Sequence, residues 1–270
     1  MKKCSPQMKT EILHVQAGDC RLPVKKIWPD RPRPRALPLI FLHEGLGSLA
    51  MWKDFPEKLC SALRCPGLIY TRRGYTDTAP LPAGPRALDY LLEEAEIYLP
   101  ALLDALEIGE CIPVGHSDGG SIALLGAALY GERFKGIITE AAHVYNEDIT
   151  RAGIRKVVRM YEQGNLREKL RFYHGENTDG VFYRWALTWL SPAFVHWNIE
   201  KYLPEIRCPL LLIQGEADEY ATAGHIRDIA RQVSGPARVR LIPGCGHVPH
   251  FQAEETVLED MRSFAASCMT

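Results

Sequence analysis

The run Cys111-Ile-Pro-Val-Gly-His-Ser-Asp-Gly-Gly-Ser121 constrains this chain more than any other stretch. An apolar, β-branched segment passes directly into a segment of small residues, and the pattern Gly-x-Ser-x-Gly, residues 115–119, sits at the junction. At this chain's residue frequencies the five-residue pattern is expected by chance about 0.06 times. A strand that turns at once into a helix needs a strained residue at the corner and no side chains on its flanks, hence the glycines. The turn lifts the Ser117 hydroxyl clear of a sheet and above the N-terminus of the following helix. The plainer alternative is a glycine-rich turn whose serine merely caps that helix.

A serine hydroxyl is a weak nucleophile until a base takes its proton, and the base needs an acid to hold its tautomer, so Asp or Glu and then His should follow in that order. Asp218 lies in Gln214-Gly-Glu-Ala-Asp218 and His247 in Pro243-Gly-Cys-Gly-His247, each just past an apolar strand-like run. Groups beyond the carboxyl ends of parallel strands converge on one crevice, so Ser117, Asp218 and His247 are the expected catalytic residues. Glu216 and Glu219 compete with Asp218 as solvated neighbours, and Asp228 falls within a helical pattern. His250, three residues after His247, has no Cys or carboxylate cluster at ligand spacing, so no metal is expected. His116 is expected to pack or hydrogen-bond behind the turn, and His14, His143, His174, His196 and His225 to be structural.

Acyl transfer also needs two fixed N–H groups for the oxyanion. Asp118, after the nucleophile, is expected to supply one. Gly45 in His43-Glu-Gly-Leu-Gly-Ser48 is expected to supply the other, with Leu46 as the alternative.

Apolar β-branched runs alternate with segments of helical period, which argues for a parallel sheet covered by helices. Strands are expected at residues 39–43, 67–70, 111–115, 135–139, 209–214 and 238–242, and helices at 49–62, 88–106, 119–130, 222–233 and 254–266. Residues 11–15 and 21–26 suggest an antiparallel hairpin at one edge. The stretch Trp28-Pro-Asp-Arg-Pro-Arg-Pro-Arg-Ala-Leu-Pro38 reads as a loop, because its prolines interrupt any period. Residues 145–203 hold helical stretches, Trp185, Trp189 and Trp197, and no convincing strand. They are expected to form a helical cap inserted into a core of residues 1–144 and 204–270. Trp185 and Trp189 are one helical turn apart and are candidates to line a substrate pocket, with anchoring of the cap as the competing role.

The 270 residues carry 32 Lys and Arg against 33 Asp and Glu, a net charge of −1, so no overall field favours nucleic acid or an anionic membrane. No apolar run approaches the roughly 20 residues of a bilayer span, and residues 4–13 are too polar for a secretory signal, so a cytoplasmic protein is expected. The eight cysteines show no CxxC pair and are expected to be reduced thiols. The expected partner is a small-molecule substrate; nucleic acid and membrane partners are not expected.

Together the serine turn, the ordered Asp218 and His247, and the motifs His43-Glu-Gly-Leu-Gly-Ser48, Tyr70-Thr-Arg-Arg-Gly-Tyr75 and Cys245-Gly-His247 resemble the α/β-hydrolase superfamily across nearly the whole chain. The Ser-Asp-Gly-Gly turn resembles the branch that includes valacyclovir hydrolase and biphenyl-hydrolase-like proteins. The chain has Glu44 where that pattern usually has glycine. The resemblance implies the α/β-hydrolase fold: a mostly parallel central sheet flanked by helices, with an inserted helical cap. It also implies Ser117 as nucleophile, His247 as general base and then acid, Asp218 as its orienter, and no cofactor. The implied activity is hydrolysis of a small carboxylic ester through an acyl-enzyme. Hydrolysis of a C–C bond in aromatic catabolism, or ligand binding without catalysis on the same fold, are the alternatives. In that branch the acidic residue after the nucleophile holds a substrate amino group. Asp118 and Glu44 are therefore expected to bind substrate, with a helix cap for Asp118 and an arginine partner (Arg72 or Arg73) for Glu44 as the competing placement.

Overall fold

The computed structural model of the protein describes residues 7–76 and 78–270. Eight strands form one sheet in the order β1-β2-β4-β3-β5-β6-β7-β8, with β1 Met8–Ala17, β2 Cys20–Pro29, β3 Leu39–Leu42, β4 Gly67–Tyr70, β5 Ile112–His116, β6 Ile137–Glu140, β7 Leu210–Gly215 and β8 Ala237–Ile242. β1 and β2 pair antiparallel, β2 runs antiparallel to β4, and the remaining neighbours are parallel.

The continuous apolar runs follow from burial of both sheet faces. Along β3, Ile40 and Leu42 join one hydrophobic core while Leu39 and Phe41 join the other; along β7, Leu210 and Leu212 face the first and Leu211 and Ile213 the second. Alternate side chains of a strand point to opposite faces, so a strand buried on both sides has no room for polar alternation.

Three elements depart from the sequence expectation, each for a local reason. The hairpin extends to full ten-residue strands, from Met8↔Pro29 to Ala17↔Cys20, around a two-residue turn in which Gly18 takes φ 58°. Positive φ at the first central residue matches the twist of a hairpin and favours glycine. Pro29 is thus the last residue of β2, and the irregular loop starts after it. The helix expected at 49–62 splits into a 3-10 turn, Leu49–Trp52, and a helix, Phe55–Leu63, because Lys53 adopts φ 51° between them. The helix expected at 88–106 begins at Tyr90 and contains a π turn, Glu94–Tyr98, immediately before Leu99–Ala105. Pro100 has no N–H to donate and would crowd the carbonyl four residues back; a π register ahead of it opens the helix at that point.

Between β6 and β7 the chain forms the helices Asp148–Gln163, Leu166–His174 and Thr178–Leu190 and three 3-10 turns, Gly175–Asn177, Pro192–His196 and Glu200–Glu205. A single antiparallel bridge, Tyr145↔Asn198, closes the base of this segment. Cys20, Cys60, Cys65, Cys111, Cys208, Cys245 and Cys268 are unpaired, and Cys4 lies outside the described residues. No helix among the described residues is long and apolar enough to cross a membrane.

Candidate active site

Ser117 stands between β5 and the twelve-residue helix Asp118–Leu129 at φ 54°, ψ −117°, a strained left-handed corner for a residue with a side chain. The motif's glycines are demanded by contacts that a β-carbon could not survive. At Gly115 it would sit 2.1 Å from the Gly119 carbonyl oxygen, and at Gly119 it would sit 1.9 Å from the Leu42 carbonyl oxygen. The corner is held by donation from the Ser117 N–H to the Glu140 carbonyl at 2.8 Å, which ties the turn to β6.

Asp218 follows β7 and His247 follows β8. His247 Nε2 is 3.0 Å from Ser117 Oγ, and its Nδ1 is 2.9 Å from Oδ1 and from Oδ2 of Asp218. An ionised carboxylate only accepts, so Nδ1 carries the hydrogen and the Nε2 lone pair faces the serine hydroxyl. Asp218 Oδ1 also accepts from the N–H groups of Tyr220 (2.8 Å) and Ala221 (3.2 Å), and Oδ2 from Gln214 Nε2 at 3.3 Å. Burial works against the charged carboxyl, but His247 and the Tyr220 N–H overcome it and hold its pKa below the usual carboxylate value. Of the competitors, Glu219 accepts from the main-chain N–H of His247 at 3.3 Å rather than from its ring, and Glu216 is exposed.

The loop after β3 is fastened through its carbonyls. Arg72 donates to that of Glu44 at 2.8 Å and Tyr75 to that of Gly45 at 3.0 Å, while His174 Nε2 lies 2.8 Å from that of Leu46. The N–H groups of Gly45 and Leu46 donate to no acceptor among the described residues. Gly45 has a steric reason to be glycine, because a β-carbon would meet the Trp185 indole 2.4 Å away.

A cavity of about 400 Å³ opens over Ser117. Trp52, Ile154, Leu170, Trp185, Trp189 and Phe251 give it an apolar wall, and Glu44, His143, Glu219 and His250 also line it. Trp189 combines both roles weighed for it. Its ring forms cavity wall against His143 at 5.2 Å between centroids, while Nε1 donates to Tyr90 Oη at 3.0 Å and ties the helix down.

The two acidic side chains expected to bind substrate have different surroundings. Asp118 is among the residues lining the cavity but is only 1% exposed, and its carboxylate accepts from Tyr90 Oη at 2.8 Å and lies 3.4 Å from an Arg72 guanidinium nitrogen. Glu44 does line the cavity, but its carboxylate faces His116, at 3.7 Å, and not Arg72 or Arg73. Arg72 is the missing signal: it takes up the charge of Asp118, and nothing in the local sequence around either residue announces the pairing. His143 and His250, expected to be structural or undirected, both reach the cavity; His250 Nδ1 lies 2.7 Å from the buried Glu140.

Residues 39–259 match the model of the alpha/beta hydrolase family. The chain belongs to that family. It is 29% identical over 189 residues to human (Homo sapiens) serine hydrolase BPHL, a match covering 67% of this chain and 62% of the human protein. The chain thus spans less than two thirds of the length of that relative. Its fold is similar to an esterase from Thermogutta terrifontis (TM-score 0.70, 18% identity, 96% of this chain and 100% of that one). It is likewise similar to a 2-hydroxy-6-oxo-6-phenylhexa-2,4-dienoate hydrolase from Rhodococcus (TM-score 0.72, 13% identity, 94% and 100%). At these identities the structural likeness speaks to the alpha/beta hydrolase fold.

Proposed function

We propose that this alpha/beta hydrolase cleaves small carboxylic esters with an uncharged, apolar acyl or alcohol group. The supporting observation is the continuous line Ser117 Oγ, His247 Nε2, His247 Nδ1, Asp218 within hydrogen-bond distance at each step, at the floor of a mainly apolar cavity. Ser117 Oγ attacks the ester carbonyl as His247 takes its proton, and the developing oxyanion meets the N–H of Asp118 and that of Gly45, or of Leu46. His247 returns the proton to the departing alcohol, leaving Ser117 acylated. A water then attacks the acyl carbon, with His247 again as base, and the acid leaves. The chemistry calls for no cofactor. Residues 145–203 act as the cap, with Trp185 and Trp189 against the remote part of the substrate.

The apolar wall and the commitment of Asp118 to Arg72 favour a neutral substrate over an α-amino-acid ester. A panel of p-nitrophenyl esters of increasing chain length, set beside a vinylogous diketone, tests this reading. Turnover of the esters supports it. Turnover of the diketone alone would point to C–C hydrolysis, and turnover of neither to a ligand-binding protein. Ser117→Ala and His247→Ala are each expected to lower the rate by about 10⁴–10⁶ without loss of fold, and Asp218→Ala by somewhat less.

A further inference from the structure

Beneath the reacting groups lies a buried imidazole to which the acyl-transfer reading gives no task. His116, the residue before Ser117, is 2% exposed. Its Nε2 is 2.8 Å from the main-chain carbonyl of His247, and a carbonyl only accepts, so that nitrogen carries a hydrogen. Its Nδ1 lies 3.7 Å from Glu44 Oε2 and has no hydrogen-bond partner among the described residues. A neutral His116 would therefore aim the Nδ1 lone pair at a carboxylate in a poorly solvated place. The doubly protonated ring instead donates to the His247 carbonyl at one end and turns its other N–H toward the Glu44 carboxylate at ion-pair distance. A carbonyl on one nitrogen and a carboxylate facing the other favour the imidazolium.

Glu44 belongs to the same loop as Gly45 and Leu46 and lines the cavity. A bare carboxylate there raises the negative potential where an oxyanion must form. Resting on the reading of Ser117, His247 and Asp218 as an acyl-transfer centre, we propose that His116 is a positioning residue that works as the imidazolium. Its Nε2–H holds the main chain of His247, and its charge cancels Glu44 beside the oxyanion site.

The groups around the ring are consistent with that charge. The loop after β3 brings Glu44, and β6 brings Glu140. The segment after β8 brings the His247 ring at 5.2 Å and the His250 ring at 5.1 Å, centroid to centroid, with His250 itself paired to Glu140. Trp52 closes a further side at 6.4 Å. Burial opposes the charged form of His116, but Glu44, Glu140 and the His247 carbonyl outweigh it and raise its pKa. Burial likewise opposes an ionised Glu44, and His116 overcomes it and holds that carboxyl down at about 2.

A group with a raised pKa loses its proton as pH rises, so the effect belongs to the alkaline side of the rate profile. Wild-type kcat/KM is expected to fall about tenfold as His116 deprotonates, the scale of one uncompensated charge near the reacting centre in a partly screened site. Glu44→Gln leaves no charge to cancel and should abolish that alkaline fall. His116→Gln should be slowed about tenfold at every pH, and adding Glu44→Gln to it should recover most of the loss, which a merely structural histidine would not allow. Independently of any substrate, imidazole nitrogen NMR on the full chain should show His116 titrating above the free-imidazole value, and lower in Glu44→Gln. Failure to find ester turnover would defeat the acyl-transfer reading alone, while the NMR titration still decides the charge on His116. An alkaline fall that persists in Glu44→Gln, a double variant as slow as His116→Gln, or a His116 that titrates at or below free imidazole would overturn the proposal.

Discussion

The Trp185 indole lies directly on the α-carbon of Gly45, so close that a β-carbon on Gly45 would sit 2.4 Å from its Nε1. A helix of the segment between β6 and β7 is thereby fitted to the loop that lines the cavity together with Ser117. Gly45→Ala must push the indole or the loop away, and overpacking of this kind typically costs about 1–3 kcal/mol. The expected outcome is a fall in kcat/KM of roughly ten- to a hundredfold, partly recovered when Trp185→Leu is added. Wild-type kinetics for Gly45→Ala would show that the contact has no bearing on the loop.

Arg72 and Asp118, each 1% exposed, form a buried charge pair that also receives the Tyr90 hydroxyl. Removing one member of a buried pair strands the other and costs about 3–5 kcal/mol, far more than the pair contributes net. Arg72→Met should therefore lower the urea midpoint severely, and Arg72→Met combined with Asp118→Asn should be more stable than the single variant. Equilibrium unfolding of the three proteins checks this; a double variant less stable than Arg72→Met contradicts it.

The same pair bears on specificity. With Asp118 engaged, an ammonium group on the substrate finds no unpaired carboxylate there. An alanine ester should show no advantage in kcat/KM over its N-acetylated counterpart, and Asp118→Asn should leave the ratio of the two unchanged. A marked preference for the free amine, lost in Asp118→Asn, would show that Arg72 releases the carboxylate during binding.

Acid stability has an identifiable contributor. The Glu147 carboxylate accepts from the Thr222 N–H at 2.8 Å and its hydroxyl at 2.7 Å, and lies 2.9 Å from His225 Nε2. Burial resists its charge, but His225 and Thr222 overcome that and lower its pKa from 4.5 to about 2. A depressed carboxyl contributes stability that is present above its unfolded value and lost as pH falls toward its folded one, so the window is about 4.5 down to 2. Thermal melts across that window should show a shallower pH dependence for Glu147→Gln than for wild type; identical slopes would rule the contribution out.

What could be read from the sequence was local and repetitive. The glycines around Ser117 announce a turn because backbone passes within van der Waals range of both, and the apolar runs of β3 and β7 announce a sheet buried on two faces. The triad candidates followed because each acts from a strand's carboxyl end. The partners of Asp118, Glu44 and His250 were not legible, because Arg72 follows β4, His116 ends β5 and Glu140 ends β6, and only the folded sheet sets them beside those residues. The π turn ahead of Pro100 was not legible either, and residues 88–106 read as one unbroken helix. The cavity-lining part of His143 was equally hidden, since no spacing motif accompanies it.

The central claim is that Ser117 forms a covalent acyl-enzyme with His247 as its base. The direct measurement is active-site titration with a fluorophosphonate, followed by intact-mass and peptide mass spectrometry. One equivalent of phosphonyl group on Ser117 is expected, with no label on Ser117→Ala and a rate lowered by orders of magnitude in His247→Ala. Label on another residue, or ester hydrolysis that continues undiminished in Ser117→Ala, would contradict the account.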